Sequence, residues 1–250
     1  MGNTENVSAR DAWLFGGEET LDPSAQKPER AYRLILLGAP GAGKGTQAEK
    51  LVQSTQARQL STGDVFRAAL KSGEENASPA MKEALSYMKQ GLLVPSATVI
   101  GLVRERIGCL KSPYGFLLDG FPRTVVQADA LVEMLKDCDV QLDGVLNYEL
   151  TMDDVLLRLG GRRTCRGCGW TCHMTFGPPQ KEGVCDKCGG ELYTRDDDQP
   201  ESIKVRLEAY RESTCPLEDY YRERGLLISI DASGAPDQVF QLTMEKLKAL

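Results

Sequence analysis

The chain has no apolar run that approaches the roughly 18 residues needed to cross a bilayer, so no segment reads as a membrane span. It also lacks a surplus of basic residues: 30 Lys and Arg against 36 Asp and Glu leave a net charge of −6. Proteins that grip phosphate backbones carry a basic face, so the charge argues against wholesale nucleic-acid binding and any basic cluster must be local. The first 30 residues hold Glu5, Asp11, Glu18, Glu19, Asp22 and Glu29 against Arg10, Lys27 and Arg30, with Trp13-Leu14-Phe15 as their one apolar patch. That is neither a secretory signal nor an acid-poor transit peptide. Residues 1–31 are therefore expected to form a solvated or loosely docked tail; the rival reading is a short docking segment built on Trp13 and Phe15. A disulfide framework is missing too. Of the eight cysteines, four form two CxxC pairs and Cys109, Cys138, Cys172 and Cys215 are scattered, which favours metal, reducing conditions and a cytoplasmic location.

What is present suffices for a sizeable core: 41% of 250 residues are hydrophobic, enough for one large α/β domain or two small ones. Leu34 to Leu37 form an apolar run that stops at Gly38, and Thr46 to Gln53 read as a helix. Between them, Gly38-Ala39-Pro40-Gly41-Ala42-Gly43-Lys44 has the GxxxxGK spacing of a P-loop, whose glycines let backbone N–H groups converge on phosphate oxygens at a helix N-terminus. Lys44 adds a mobile charge for the outer phosphates. An ordinary glycine-rich turn would not need strand, spacing and lysine together. The usual hydroxyl arrives one place late, at Thr46, because Gly45 follows Lys44.

Further along, Ser61, Thr62 or Asp64 can cap a helix that carries Arg67. Residues 78–94 read as a helix from Pro79 to Gly91, and residues 98–107 as another with Arg104 and Arg106 outward. Phe116 to Asp119 is a short strand closing on a carboxylate, which is where a Mg²⁺ ligand or its water partner belongs beside a P-loop. Strands are also expected at 144–148 and 226–230, helices at 153–159, from Pro200 (carrying Arg206) and from Pro236. Their alternation predicts an α/β fold, a parallel sheet covered by helices on both faces.

Cys165, Cys168, Cys185 and Cys188 form two CxxC knuckles separated by residues 169–184, a zinc-ribbon spacing that places four thiolates around one tetrahedral ion. Four-sulfur closure leaves no open position, so the metal is structural and should fold the segment. Cys172 and His173, the only histidine, are rival ligands that knuckle geometry disfavours, and a redox reading of either CxxC is weaker still. Gly167, Gly169 and Gly189 should allow the knuckle turns, and Arg162, Arg163, Arg166 and Lys187 should help ionise the thiols. Arg158, Arg162 and Arg163 before the segment, and Arg195 and Arg206 after it, form the kind of cluster that phosphoryl transfer requires.

Over residues 32–250 the sequence resembles adenylate kinase of the long-lid, zinc-carrying bacterial type, on Gly38 to Thr46, Ser61 to Asp64, Phe116 to Thr124, Gly161-Arg-Arg163 and Thr194 to Gln199. The resemblance implies a P-loop core (32–60, 91–160, 199–250) with two mobile inserts, a nucleoside-monophosphate clamp at 61–90 and a zinc lid at 161–198. It implies ATP on Gly38 to Thr46 with Arg158 and Arg162, and AMP on Thr62, Arg67, Leu93, Val94, Gly120, Arg123 and Gln127. Lys44, Arg123, Arg162, Arg195 and Arg206 would close on the transferring phosphoryl, the last two also reaching AMP, and Asp119 would organise Mg²⁺. Reversible transfer from ATP to AMP giving two ADP, by a cytoplasmic monomer with a structural Zn²⁺, is the expected activity. The alternatives are another nucleoside-monophosphate kinase acting on UMP, CMP or GMP and, from a different class, a zinc-ribbon P-loop switch that binds nucleic acid, which the net charge opposes.

Overall fold

A computed structural model of the chain describes residues 7–17, 19–21, 24, 26–71 and 79–250. Its centre is a five-stranded, all-parallel sheet in the order β2-β3-β1-β4-β8, with β1 Tyr32–Gly38, β2 Arg58–Ser61, β3 Gly115–Asp119, β4 Gly144–Glu149 and β8 Leu227–Asp231. The apolar run of β1 is buried on both faces because successive side chains alternate. Ile35 and Leu37 join Phe116, Leu118 and Val145 on one side, while Leu34 and Leu36 join Leu117, Leu146 and Tyr148 on the other. Each such side chain contributes about 1.5–3 kcal/mol by leaving water, and this fixes β1 at the centre.

Helices α2 Lys44–Thr55 and α10 Pro236–Lys248 cover the second face. Helices α5 Ser96–Arg104, α6 Val125–Asp137 and α9 Pro216–Arg222 cover the first. Thr124 caps α6 and Thr151 caps α7 Met152–Gly161 through their hydroxyls, and Pro200 opens α8 Pro200–Ala209 at a position where its missing N–H costs nothing. Helices α3 Thr62–Lys71 and α4 Pro79–Lys89 project beside the sheet. Residues 72–78 of the expected 61–90 insert, including residue 78 of the expected helix, lie outside the described residues; that helix ends at Lys89 rather than 94, and Gly91 follows it with φ +77°. A separate antiparallel sheet, β6-β5-β7, is built from β5 Arg162–Cys165, β6 Thr171–His173 and β7 Leu192–Tyr193.

Three further expectations need correction. Arg106 does not face outward: it is 8% exposed, its Nε donating to Trp13 O (2.7 Å) and its Nη1 to Leu102 O (3.0 Å). The α-helix read over 98–107 stops at Arg104, and a 3₁₀ turn takes over at Ile107–Lys111. The N-terminal segment is not simply solvated: Ala9–Phe15 form helix α1, capped by Ser8, with Trp13 1% exposed inside the first core face and Phe15 67% exposed. The docking reading therefore holds for Trp13 and fails for Phe15. Residues 1–6, 18, 22, 23 and 25 of that segment, with its Glu5, Glu18 and Asp22, lie outside the described residues.

Candidate active site and metal centre

The parallel sheet brings the C-terminal ends of β1 and β3 side by side, Leu36 opposite Asp119, so the glycine loop and the carboxylate share one edge. Glycine is required in that loop. Gly38 (φ +135°) lies so close to β4 that a Cβ would sit 2.6 Å from Tyr148 O, and Gly43 (φ +89°) turns the chain into α2. Lys44 folds back over the loop, donating to Gly38 O (2.7 Å) and Ala39 O (2.9 Å). Burial, with Arg123, Arg206 and Arg162 nearby, pushes its ammonium down to about 8 against the pull of Asp119. Among the described residues, no donor reaches the Asp119 carboxylate, which leaves it free for a cation or water. Its carbonyl lies 3.5 Å from Thr62 Oγ1.

A cleft of about 2060 Å³ runs from this loop between the two sheets. Gly38, Pro40 to Thr46, Arg67, Leu93, Asp119, Gly120, Arg123, Arg158, Arg162, Arg195 and Arg206 all line it. A smaller hollow of about 40 Å³ adjoins it, walled by Thr62, Phe66, Leu93, Val94, Val99, Gly120, Arg123 and Gln127. Ala39 does not line the cleft; its side chain packs with Val155, Leu159 and Ile203, and only its carbonyl serves the loop.

Four of the arginines have separate partners. Arg67 pairs with Asp64, one turn back on α3, and Arg158 Nη2 donates to Ala232 O (2.8 Å). Arg123 Nε donates to Gly120 O (3.1 Å), and its backbone N–H to Gln127 Oε1 (2.8 Å), while Gln127 Nε2 reaches Ser96 Oγ (3.2 Å). Burial and the neighbouring Arg206 lower the affinity of Arg123 for its proton. Arg195 Nε donates to Thr164 Oγ1 (2.8 Å); burial, Arg67 and Arg162 bring it down to about 10.

Two residues that sequence reasoning missed knit this cluster together. Asp198, its side chain wholly buried, accepts from Arg162 Nε (2.7 Å) and from Arg206 Nη1 (2.8 Å). Asp197 lies 3.0 Å from Arg206; despite the burial that would raise it, Arg206, Arg162, Arg195 and Arg67 hold its carboxyl below the usual range. The run of three aspartates was visible, but nothing in it distinguishes a buried counter-ion from a solvated loop.

The second sheet presents the four knuckle cysteines on one point. Their Sγ atoms all lie within 4.8 Å of one another, with Cys165 to Cys188 at 3.5 Å and Cys168 to Cys185 at 3.6 Å. Those separations match a tetrahedron of sulfurs about 2.3 Å from a central Zn²⁺. Gly169 and Gly189 adopt φ of +78° and +73° at the knuckles; Gly167 does not need positive φ, but a Cβ there would lie 3.5 Å from Cys188 Sγ. The basic side chains do not ionise the thiols as expected. Arg162 is taken by Asp198, Arg166 by Glu191, Lys187 by Glu49, and Arg163 by the carbonyls of Gly160 and Arg162. Against desolvation, which would raise it, Cys165 is drawn down to about 6 by the backbone N–H groups of Cys168 and Gly167 and by the Cys188 thiol. His173 is not a ligand either: Nδ1 accepts from Thr175 N–H (3.0 Å) and Phe176 N–H (3.1 Å), which places the ring proton on Nε2, facing Leu157 O (3.3 Å).

The profile of the adenylate kinase family matches residues 36–226. The chain is 50% identical over 208 residues to the adenylate kinase of Thermodesulfovibrio yellowstonii, an overlap of 83% of this chain and 95% of the relative. It is 54% identical over 209 residues to that of Desulfitobacterium hafniense (84% and 94%) and 49% identical over 218 residues to that of Caldicellulosiruptor bescii (87% and 98%).

The chain belongs to the adenylate kinase family.

Membership makes it a nucleoside-monophosphate kinase, and the four-cysteine cluster fits the zinc-lid type of adenylate kinase. Among the described residues no helix is long and apolar enough to cross a membrane.

Proposed function

We propose that the protein transfers the terminal phosphoryl group of ATP to AMP, reversibly, giving two ADP. The observation that carries this reading is that Lys44, Arg67, Arg123, Arg158, Arg162, Arg195 and Arg206 all line one cleft in an acidic protein, with the glycine loop along it and an apolar hollow adjoining it. Gly38 to Thr46, with Arg158 and Arg162, would seat the triphosphate. Thr62, Arg67 and Arg123 would take the AMP phosphate, and Leu93 and Val94 would flank its base. The Gln127 amide is oriented by Arg123 N–H and Ser96, which leaves one N–H and one oxygen lone pair for the base edge; adenine offers the matching acceptor and amino donor.

No side-chain nucleophile is required, because an ionised oxygen of the AMP phosphate attacks in line. Lys44, Arg123, Arg162, Arg195 and Arg206 would spread the charge of the transferring group, each positioned beforehand by the contacts above. Asp119 would hold Mg²⁺ or its waters, and the ion, when bound, would neutralise charge on the outer phosphate oxygens. Zn²⁺ on Cys165, Cys168, Cys185 and Cys188 would act structurally, tying the lid. Segments 61–90 and 161–198 would move against the core (32–60, 91–160 and 199–250) and exclude the water that wastes ATP. We place this chemistry in a cytoplasmic monomer that binds no nucleic acid.

The test is a coupled assay of purified protein with ATP, Mg²⁺ and a panel of AMP, UMP, CMP and GMP. ADP formation that depends on AMP and exceeds slow hydrolysis is expected. Activity confined to another acceptor would reassign the base pocket, and no acceptor-dependent ADP would end the reading.

A further inference from the structure

Helix α1 lies ahead of the part of the chain that the family profile matches, which begins at residue 36. It is nevertheless built into the wall of the cleft, where Arg10, Trp13, Leu14 and Phe15 are lining residues. Trp13 is the junction. Its Nε1–H donates to Ser61 O at 2.9 Å, and its own carbonyl accepts from the buried Arg106 at 2.7 Å. Ser61 is the last residue of β2 and the pivot from which α3 leaves the sheet; its hydroxyl accepts from Asp64 N–H at 3.3 Å in the first turn of that helix. Immediately beyond stand Thr62, whose hydroxyl donates to Gly120 O (3.0 Å), and Arg67, paired with Asp64. The other end of β2, an edge strand, is tied by the same N-terminal segment, since Glu19 pairs with Arg58 at 2.5 Å.

We propose that Trp13 is a positioning residue for the acceptor-phosphate clamp: its indole N–H fixes the β2-to-α3 pivot, so that Thr62 and Arg67 meet the monophosphate already placed. This rests on the reading of α3 as the AMP clamp. The geometry separates the indole from the donor half of the site. Trp13 bonds the pivot of α3 directly, whereas among the described residues no hydrogen bond joins it to the glycine loop. Ring burial alone would serve folding, and phenylalanine would meet it. The hydrogen bond to the pivot is what phenylalanine cannot supply.

Full-length Trp13→Phe keeps a buried aromatic ring and removes the donor together with the smaller ring of the indole, and the melting temperature reports the packing part of that loss. In steady-state assays with ATP and AMP varied in turn, KM for AMP is expected to rise about 3- to 10-fold, the usual span for losing one hydrogen bond, with kcat and KM for ATP within about twofold. Glu19→Gln, which loosens the far end of the strap, should move KM for AMP the same way by a smaller factor. A KM for AMP within twofold of the unaltered protein in Trp13→Phe, or equal rises in both KM values, would overturn the proposal. Failure of the unaltered protein to make ADP would instead strike the functional reading on which it rests.

Discussion

Replacing Asp198 by alanine is expected to lower the melting temperature by about 4–12 °C. The carboxylate is wholly buried and is shared by Arg162 and Arg206, so its loss leaves Arg162 without its counter-ion and Arg206 with Asp197 alone. Breaking a fully buried pair costs about 3–5 kcal/mol, but these guanidiniums keep 21% and 16% of their surface in water, which brings the figure to about 2–3 kcal/mol. In a chain of this size each kcal/mol moves the midpoint by about 2–4 °C. The same geometry supplies a second readout. On the proposed function a nucleotide pair would bring phosphate charge to those two arginines, so saturating ATP plus AMP should stabilise the variant more than the unaltered protein and narrow the gap between them. Differential scanning fluorimetry with and without nucleotides measures both quantities. A shift under about 2 °C with an unchanged nucleotide response would refute the argument that Asp198 is a buried counter-ion.

Substituting Cys185 by serine should weaken metal binding by more than the roughly 10–100-fold typical of losing an outer-shell partner and lower the melting temperature, while folded protein still turns over; metal analysis with activity per folded molecule checks this, and complete loss of turnover in folded, metal-free protein would contradict a purely structural ion. Arg123→Met should reduce kcat by about 10³, the scale for a guanidinium on a transferring phosphoryl group, and a loss below tenfold would remove Arg123 from that role. Lys44 carries a pH signature. Its ammonium is held at about 8 in the folded chain against 10.5 in the open one, so between those values the unfolded state binds more protons and stability gains a component that rises with pH. The burial penalty is fully present below about pH 8 and relieved toward 10.5; denaturant midpoints over that window should rise less in Lys44→Met than in the unaltered protein, and equal slopes would count against it.

The parts of this architecture that announce themselves in the sequence are those with local grammar. The loop from Gly38 to Thr46 sits between an apolar run and a helix, and the cysteine knuckles carry their ligand spacing within a few residues. Pro200 and Pro236 mark helix starts because a proline at that position loses nothing. What stayed hidden depends on partners far away in the chain. Arg106 is amphipathic in pattern and would suit solvent, yet it turns inward because the carbonyl of Trp13, 93 residues earlier, waits there. Trp13 itself lies in a short, acidic stretch with no lasting periodicity, and its burial requires a recess that β2 and α3 form only after folding. The strand β2, four residues with polar Arg58 and Gln59 leading, lacks the apolar run that revealed β1 and β3. Asp198 resembles its neighbours Asp196 and Asp197 in type and differs only in what the fold places around it.

Lys44 rests on the carbonyls of Gly38 and Ala39, so the loop already encloses a cation of its own before any nucleotide arrives. That internal guest keeps strand, loop and helix in a single shape. On the proposed function, an entering triphosphate would trade places with two carbonyls instead of having to order a slack segment, and capture would be an exchange of partners.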